Sequence, residues 1–361
     1  MIVPCYNEQD TISLLLDAVY SQSFPRSQME VIIADGSSTD QTRARIENFK
    51  IEHPELAITI VNNHRRVIPS ALNRAIESAQ GDFIIRLDAH SIPAPDYIAR
   101  CLAALEAGLG DNVGGVWQIH PGDDSWIARS IAAAASHPLG VGDALYRLGG
   151  KARPVDTVPF GAFRRSLFDK IGFFDENLLT NEDYELNTRI RQAGGVIWFD
   201  PEIQMVYFAR PTLNALARQY ARYGYWKAQM LRRYPKTLRW RQFLPPAFVT
   251  ALIVLSLLSP FHQIFRWLLL AQLGSYIIIL LAAGYPLGGI LGDKLFAKTK
   301  RGRLIVSAVG VITGAVLLFI SIKIPYDNKI LFMILMSLTT LFIPFASPNV
   351  LSTVYDITLP E

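Results

Sequence analysis

Short apolar runs alternate with helical patterns over the first half of the chain, and long uncharged runs fill the last third. Glu30–Ala34, Ala57–Val61 and Asp82–Leu87 have the length and content of strands, while Thr11–Gln22, Thr39–Phe49, Pro69–Ala79 and Pro95–Ala107 carry helical spacing. Strand and helix alternating at this interval predict right-handed βαβ units and a Rossmann-like α/β domain on a mostly parallel sheet. Ligands of such sheets bind beyond the carboxyl ends of the strands. Four polar stretches fall there: Pro4-Cys5-Tyr6-Asn7-Glu8, Asp35-Gly36-Ser37-Ser38-Thr39-Asp40, Asn62–Arg66 and Asp88-Ala89-His90. Their coincidence points to a nucleotide site.

The C-terminal pattern is different. Between Arg241 and Arg266 no residue is charged, and Trp267–Gly292, Leu304–Ile322 and Ile330–Tyr355 are further uncharged runs. A bilayer core takes about 20 helical residues, so each run is long enough to span. Pro245, Pro246 and Pro260 restrict the first to an apolar core at Ala247–Ser259. Three or four transmembrane helices are expected over 243–361. Asp293–Arg303 carries Lys294, Lys298, Lys300, Arg301 and Arg303, which predicts a cytoplasmic loop and a cytoplasmic N-terminal domain on a multi-pass anchor in the cell membrane. No signal peptide is visible, the first apolar stretch being only Ile2–Val3.

Charge sharpens this division. The net charge of +4 hides a block at 1–209 with 18 basic and 27 acidic residues, a net of −9. Residues 210–242 hold nine basic residues and no acid. Ala215–Arg233 reads as a basic amphipathic helix on anionic lipid, with Tyr220, Tyr223, Tyr225 and Trp226 suited to the interface. That basic block faces lipid and diphosphate rather than nucleic acid. Two cysteines, Cys5 and Cys101, exclude a disulfide scaffold and offer no metal-type spacing.

Each candidate group also has a plainer reading. An N-cap before Thr42–Phe49 accounts for Thr39 or Asp40, but not for Asp35, an acid that ends a strand. Asp88 and His90, two apart, share a side if the segment is extended, and carboxylate plus imidazole suits Mn²⁺, with Mg²⁺ preferring more oxygen. An Asp-x-His is otherwise simply a turn. Glu182-Asp183 reads either as acids opening a helix, favourable at its positive end, or as reactive carboxylates.

Taken as an ordered set, Pro4-x-Tyr6-Asn7-Glu8, Asp35-Gly36-Ser37-Ser38-x-Asp40, Asp88-x-His90 and Glu182-Asp183 resemble the inverting family 2 glycosyltransferases, with the GT-A fold. Arg86-Leu87-Asp88-Ala89-His90, Gly114-Gly115-Val116-Trp117, Pro138–Gly142 and Val155–Val158 look like the membrane-bound exopolysaccharide branch, typified by succinoglycan glucosyltransferases. The likeness covers roughly Met1 to Leu270. It implies a UDP-sugar donor, UDP-glucose first, and a lipid-linked saccharide acceptor. It also implies roles: Pro4, Tyr6, Glu8, Asp35 and Arg65 at the nucleotide, Asp88 at the ribose or a divalent cation (Mn²⁺ or Mg²⁺), and His90 as metal ligand. Asp183, with Glu182 beside it, would be the general base. Gln219-x-x-Arg222-Tyr223 resembles the Gln-x-x-Arg-Trp motif of processive members, with Tyr in place of Trp, and implies a diphosphate contact.

Two features depart from that family. Ile2-Val3 represents a first strand that is nearly missing, so either the start is misassigned or the edge of the nucleotide site is weakened. Gly288–Lys294 with Arg301-Gly302-Arg303, and further on Ser347–Val350 and Asp356–Glu361, resemble segments of major-facilitator transporters, so 274–361 reads as a fused fragment serving as anchor. Two alternatives stay open: transfer of sugar directly to polyprenyl phosphate, and a transport protein with a degenerate enzyme domain.

Overall fold

In the computed structural model, which describes residues 1–237, 239–297, 299, 301–324 and 328–345, strand β1 (Ile2–Cys5) lies beside β2 (Glu30–Asp35). The pairing is parallel and continuous from Ile2↔Ile32 to Cys5↔Asp35, so the short first strand is paired along its whole length. β2 pairs in turn with β3 (Ala57–Asn62). Successive residues of β1 and β2 point to opposite faces. Val3, Val31 and Ile33 join one core with α1 (Ile12–Tyr20) and α2 (Thr42–Glu52). Ile2, Ile32 and Ala34 join a second core with α3 (Ile68–Ser78). Burial on both faces is why these strands read as continuous apolar runs.

A parallel bridge between Ile2 and Arg86, with the Leu87 N–H donating to the Ile2 carbonyl at 3.1 Å, joins this sheet to a second one. That sheet runs β4 (Phe83–Ile85), β8 (Ala162–Arg164), β6 (Asn112–His120), β9 (Ile197–Phe208), β5 (Ser91–Pro93), with β7 (Arg153–Pro154) also on β9. Only β6 and β9 are parallel; the other pairs are antiparallel, so the mostly parallel arrangement holds for the first sheet and the second is mixed. The sequence pattern missed β6 because Gly114 and Gly115 interrupt it. Gly115 is there for close approach: a Cβ would stand 1.8 Å from the Ile203 carbonyl oxygen. The remaining helices of this unit are α4 (Tyr97–Glu106), α5 (Trp126–Ala135), α6 (Pro138–Val141), α7 (Leu145–Leu148), α8 (Ser166–Ile171), α9 (Glu182–Gln192) and α10 (Leu213–Arg233).

The chain divides into two compact units, Met1–Phe243 and Leu244–Glu361. Helix α11 (Trp240–Leu258) runs through Pro245 and Pro246 and is followed by α12 (Gln263–Phe296), α13 (Gly302–Lys323) and α14 (Lys329–Phe342). Among the described residues one helix, α13, is long and apolar enough to cross a membrane; Gln242–Leu258 and Ile334–Phe345 are apolar but shorter. Small residues form the buried positions of α13, namely Gly302, Ser307, Gly310, Gly314 and Ser321, whereas Ile312, Val316 and Phe319 are exposed. Asp293 and Arg303, from the transporter-like motif, form an ion pair at 2.8 Å. Lys298, Lys300, Ser347–Val350 and Asp356–Glu361 lie outside the described residues.

Candidate active site

Beyond Cys5 the chain turns at Asn7, whose φ of 53° is a left-handed conformation that asparagine tolerates. The turn is locked to the loop after β2. Asn7 N–H donates to Ser38 Oγ at 2.9 Å, Thr39 N–H to Asn7 Oδ1 at 2.9 Å, and Glu8 N–H to Thr42 Oγ1 at 2.8 Å. Asp35 is fully buried; its Oδ1 accepts from the Ser38 N–H at 3.1 Å and hydroxyl at 2.6 Å, with Arg43 3.7 Å from Oδ2. Just ahead of α2, Asp40 Oδ1 accepts the Thr42 N–H at 3.0 Å, while the residue at the cap position is Gln41.

Tyr6 stands out of this frame, 44% exposed. Its ring lies over Gly36, where a Cβ would stand 3.1 Å from Tyr6 Cδ2, and the Arg66 guanidinium is 5.7 Å from the ring centre. Arg65 turns elsewhere and pairs with Glu176. Pro4 is half-buried within β1, opposite Ala34.

The chemistry gathers around Arg86, buried just beyond β4. Its Nη2 donates to Glu182 Oε1 at 2.9 Å and lies 3.3 Å from Asp88 Oδ1, while Nη1 has no hydrogen-bond partner among the described residues. Asp183 belongs to the same charge cluster: one cation faces three carboxylates. Asn181, at φ 67°, turns the chain into α9 and sets Glu182 and Asp183 on its first turn. Burial pushes the Glu182 carboxyl up to about 6, against the pull of Arg86. Asp183 is likewise held above the ordinary aspartate value by burial, Arg86 again opposing. A carboxylate made more basic in this way is suited to taking a proton at neutral pH.

Asp88 and His90 sit in a turn rather than on an extended segment, because the Ser91 N–H and hydroxyl both donate to the Asp88 carbonyl, at 3.0 and 2.7 Å. Their side chains have different partners. Asp88 faces Arg86; His90 Nδ1 is 3.2 Å from Glu8 Oε1, whose other oxygen accepts the Thr11 hydroxyl at 2.7 Å. Burial opposes both charges of the Glu8–His90 pair, but their mutual hydrogen bond prevails: Glu8 is lowered and His90 raised. Among the described residues no three carboxylate, imidazole or thiolate groups converge to hold a metal ion. The donor types that Asp88 and His90 offer, a carboxylate and an imidazole, suit a divalent cation. An imidazole whose Nδ1 is held by a carboxylate presents Nε2 outward, the usual arrangement of a metal-binding histidine.

On α10, Gln219 is buried and its Nε2 donates to the Tyr223 hydroxyl at 2.8 Å and the Tyr207 hydroxyl at 3.3 Å. Arg222 is exposed. Of the aromatic residues expected at lipid, Tyr220 and Tyr225 are exposed, while Tyr223 is half-buried and Trp226 packs with Leu178, Tyr184 and Met230. Lys227 Nζ sits 3.7 Å over the Tyr184 ring, one residue from Asp183.

Comparison with known proteins decides what this arrangement belongs to. The profile "Glycosyl transferase family 2" matches residues 1–172. The succinoglycan biosynthesis protein ExoA of Rhizobium meliloti (strain 1021) is 30% identical over 296 residues, covering 81% of this chain and 86% of ExoA. The chain belongs to glycosyltransferase family 2. A second relative of this transferase, from Methanococcus voltae, is a dolichyl N-acetyl-α-D-glucosaminyl phosphate 3-β-D-2,3-diacetamido-2,3-dideoxy-β-D-glucuronosyltransferase, 26% identical over 64% of this chain and 74% of its own. In fold, the transferase is similar to the mannosyltransferase PcManGT of Pyrobaculum calidifontis, solved with GDP-Man and Mn²⁺, at a TM-score of 0.53 and 22% identity over 75% of this chain and 82% of that one. The GT-A-like α/β architecture is therefore shared. The family profile ends before Glu182 and Asp183; it is the Arg86 bridge that brings them to the strand ends.

Sequence reading assigned no role to Arg86 or Arg66. Arg86 did carry a signal, as the one charge between the apolar residues Phe83–Ile85 and Leu87. Arg66 carried none that separated it from Arg65, although it is Arg66, at a left-handed φ of 54°, whose guanidinium stands over Tyr6.

Proposed function

We propose that this family 2 enzyme is an inverting glycosyltransferase that moves a sugar, glucose in the first instance, from UDP to a lipid-linked saccharide at the cytoplasmic face of the cell membrane. The observation that carries the reading is the buried Arg86 cluster, which brings a basic carboxylate pair from α9 to the end of β4, where Arg86 bridges to β1, the strand that leads into Tyr6 and Glu8. Tyr6 offers an exposed ring for the uracil, with Arg66 over it, and the Asp35 and Glu8 loops frame the nucleoside. Asp183 accepts the proton of the acceptor hydroxyl as that oxygen attacks the anomeric carbon; the bond from that carbon to the diphosphate oxygen breaks and UDP leaves. A single base acting opposite the leaving group inverts the centre, so an α-linked donor gives a β-linkage. Asp88 and His90 would hold a divalent cation, Mn²⁺ or Mg²⁺, whose charge offsets that of the departing diphosphate. Arg86 keeps Glu182 and Asp88 apart and in register throughout.

A lipid-linked acceptor is supported by the names of the relatives, one in exopolysaccharide synthesis and one specified by a dolichyl-phosphate sugar. Membrane insertion of 243–361 is supported by α13, which buries small residues and exposes large apolar ones, the reverse of a water-soluble helix. Residues 1–209 then form the catalytic domain and 210–242 a basic segment at the headgroups. Membranes carrying the full chain should release UDP from UDP-glucose with Mn²⁺ or Mg²⁺ and lose most of that turnover in EDTA. An unchanged rate in EDTA removes the role of Asp88 and His90, and no release from any UDP-sugar removes the reading as a whole.

A further inference from the structure

Arg147, on the short helix α7, is a cation without a carboxylate partner among the described residues. Its Cζ lies 5.3 Å from the ring centre of Trp117 and 5.6 Å from that of Tyr146, and its electrostatic neighbours are tyrosines, including Tyr207 and Tyr223. The aromatic wall is rigid: Trp117 stacks on Tyr207 at 4.2 Å with planes 6° apart, and Tyr146 meets it edge-on at 5.3 Å.

The hydrogen-bonding capacity of this corner is one-sided. Gln219 Nε2 donates both its hydrogens, one to Tyr223 and one to Tyr207. Each phenol, having accepted, keeps its own O–H to donate. Trp117 Nε1 is a buried donor with no acceptor among the described residues, and the guanidinium adds further N–H groups. An excess of donors, around a cation with no carboxylate partner among the described residues, matches an oxyanion. The position fits the reaction too: the Phe160 ring touches both sides, 5.7 Å from the Trp117 ring and 5.6 Å from Arg86 Cζ.

We propose that Arg147, with Trp117, Tyr207 and Tyr223, binds phosphate oxygens of a substrate beside the Arg86 carboxylate cluster. The inference rests on the transferase reading above, which supplies two sources of that chemistry: the diphosphate of the donor and the phosphate linking the acceptor to its lipid. Either way, a guanidinium standing on an indole face forms charge-assisted bonds with little loss of side-chain freedom.

The test is binding to the purified full chain in detergent, with UDP against uridine and farnesyl phosphate against farnesol as probes. Arg147→Gln should weaken one phosphate-bearing probe by about tenfold or more, leaving uridine and farnesol unchanged. Loss on UDP assigns the site to the donor, and loss on farnesyl phosphate assigns it to the acceptor. Arg147→Lys, which keeps the charge, should recover part of the loss. Should Arg147→Gln fail to fold, Tyr223→Phe keeps the ring and removes one donor, and should weaken the same probe. Wild-type affinity for both phosphate probes in the substituted protein overturns the inference alone. A wild-type chain that binds neither UDP nor farnesyl phosphate overturns the transferase reading, and this inference with it.

Discussion

Arg86 is the side chain on which the geometry of the site depends. Removing one member of a buried ion pair leaves the other charges uncompensated, which costs about 3–5 kcal/mol. Arg86→Met leaves Asp88, Glu182 and Asp183 facing one another without a cation, so its thermal unfolding midpoint should fall well below that of the wild type. Its pH behaviour follows from the same charges. Burial raises the Asp183 carboxyl and Arg86 lowers it, so without Arg86 the proton is retained to still higher pH. Because the base works only when deprotonated, the acid limb of kcat/KM should lie above the ordinary aspartate range, near ~4, in the wild type. In Arg86→Met it should move further up; a limb that stays in place contradicts the role given to the cation. Tyr6→Ala should weaken UDP binding by about 1–3 kcal/mol, the usual worth of a base stacked on an aromatic ring, read by calorimetry. At this scale the acids were legible, since Asp35, Asp88, Glu182 and Asp183 break the local pattern. Their partners were not: whether His90 turns to a metal or to Glu8 depends on a turn that Ser91 closes.

The legible elements were those whose pattern is local. Strands β2 and β3 and helices α1 to α4 fall where the apolar spacing places them, and β2 and β3 bury residues on alternating or both faces as their composition requires. The β6–β9 pair was not foreseen, because Asn112, Gly114, Gly115 and Gln118 give β6 no apolar period and its partner lies more than eighty residues away. The same pair supplies a sharp test. Gly115→Ala places a methyl 1.8 Å from the Ile203 carbonyl oxygen, a backbone atom with no freedom to move aside. The substitution should destabilise the catalytic unit by about 1–3 kcal/mol or more, seen in its urea midpoint. A wild-type midpoint would mean that the two strands do not approach so closely.

At the scale of the whole molecule, the net charge of +4 is a cancellation between an acidic catalytic unit and a basic connection to apolar helices. On the membrane reading proposed above, lysine and arginine between α12 and α13 would make that loop cytoplasmic. Cys5 and Cys101 are both buried, so a cysteine introduced at exposed Thr299 has little labelling background. In sealed vesicles with the outer surface outward, an impermeant maleimide should reach Thr299→Cys only after permeabilisation. Labelling of intact vesicles would reverse the orientation. The transferase identity was legible as an order of weak motifs, none decisive alone, while the number of spans rests on run length and charge. The central claim, however, is chemical: Asp183 takes the acceptor proton. It is tested most directly by UDP release from UDP-glucose in membranes carrying wild-type chain or Asp183→Asn. The account predicts a fall of at least about 100-fold in turnover, with UDP affinity unchanged. Asp183→Asn turning over at the wild-type rate would contradict it.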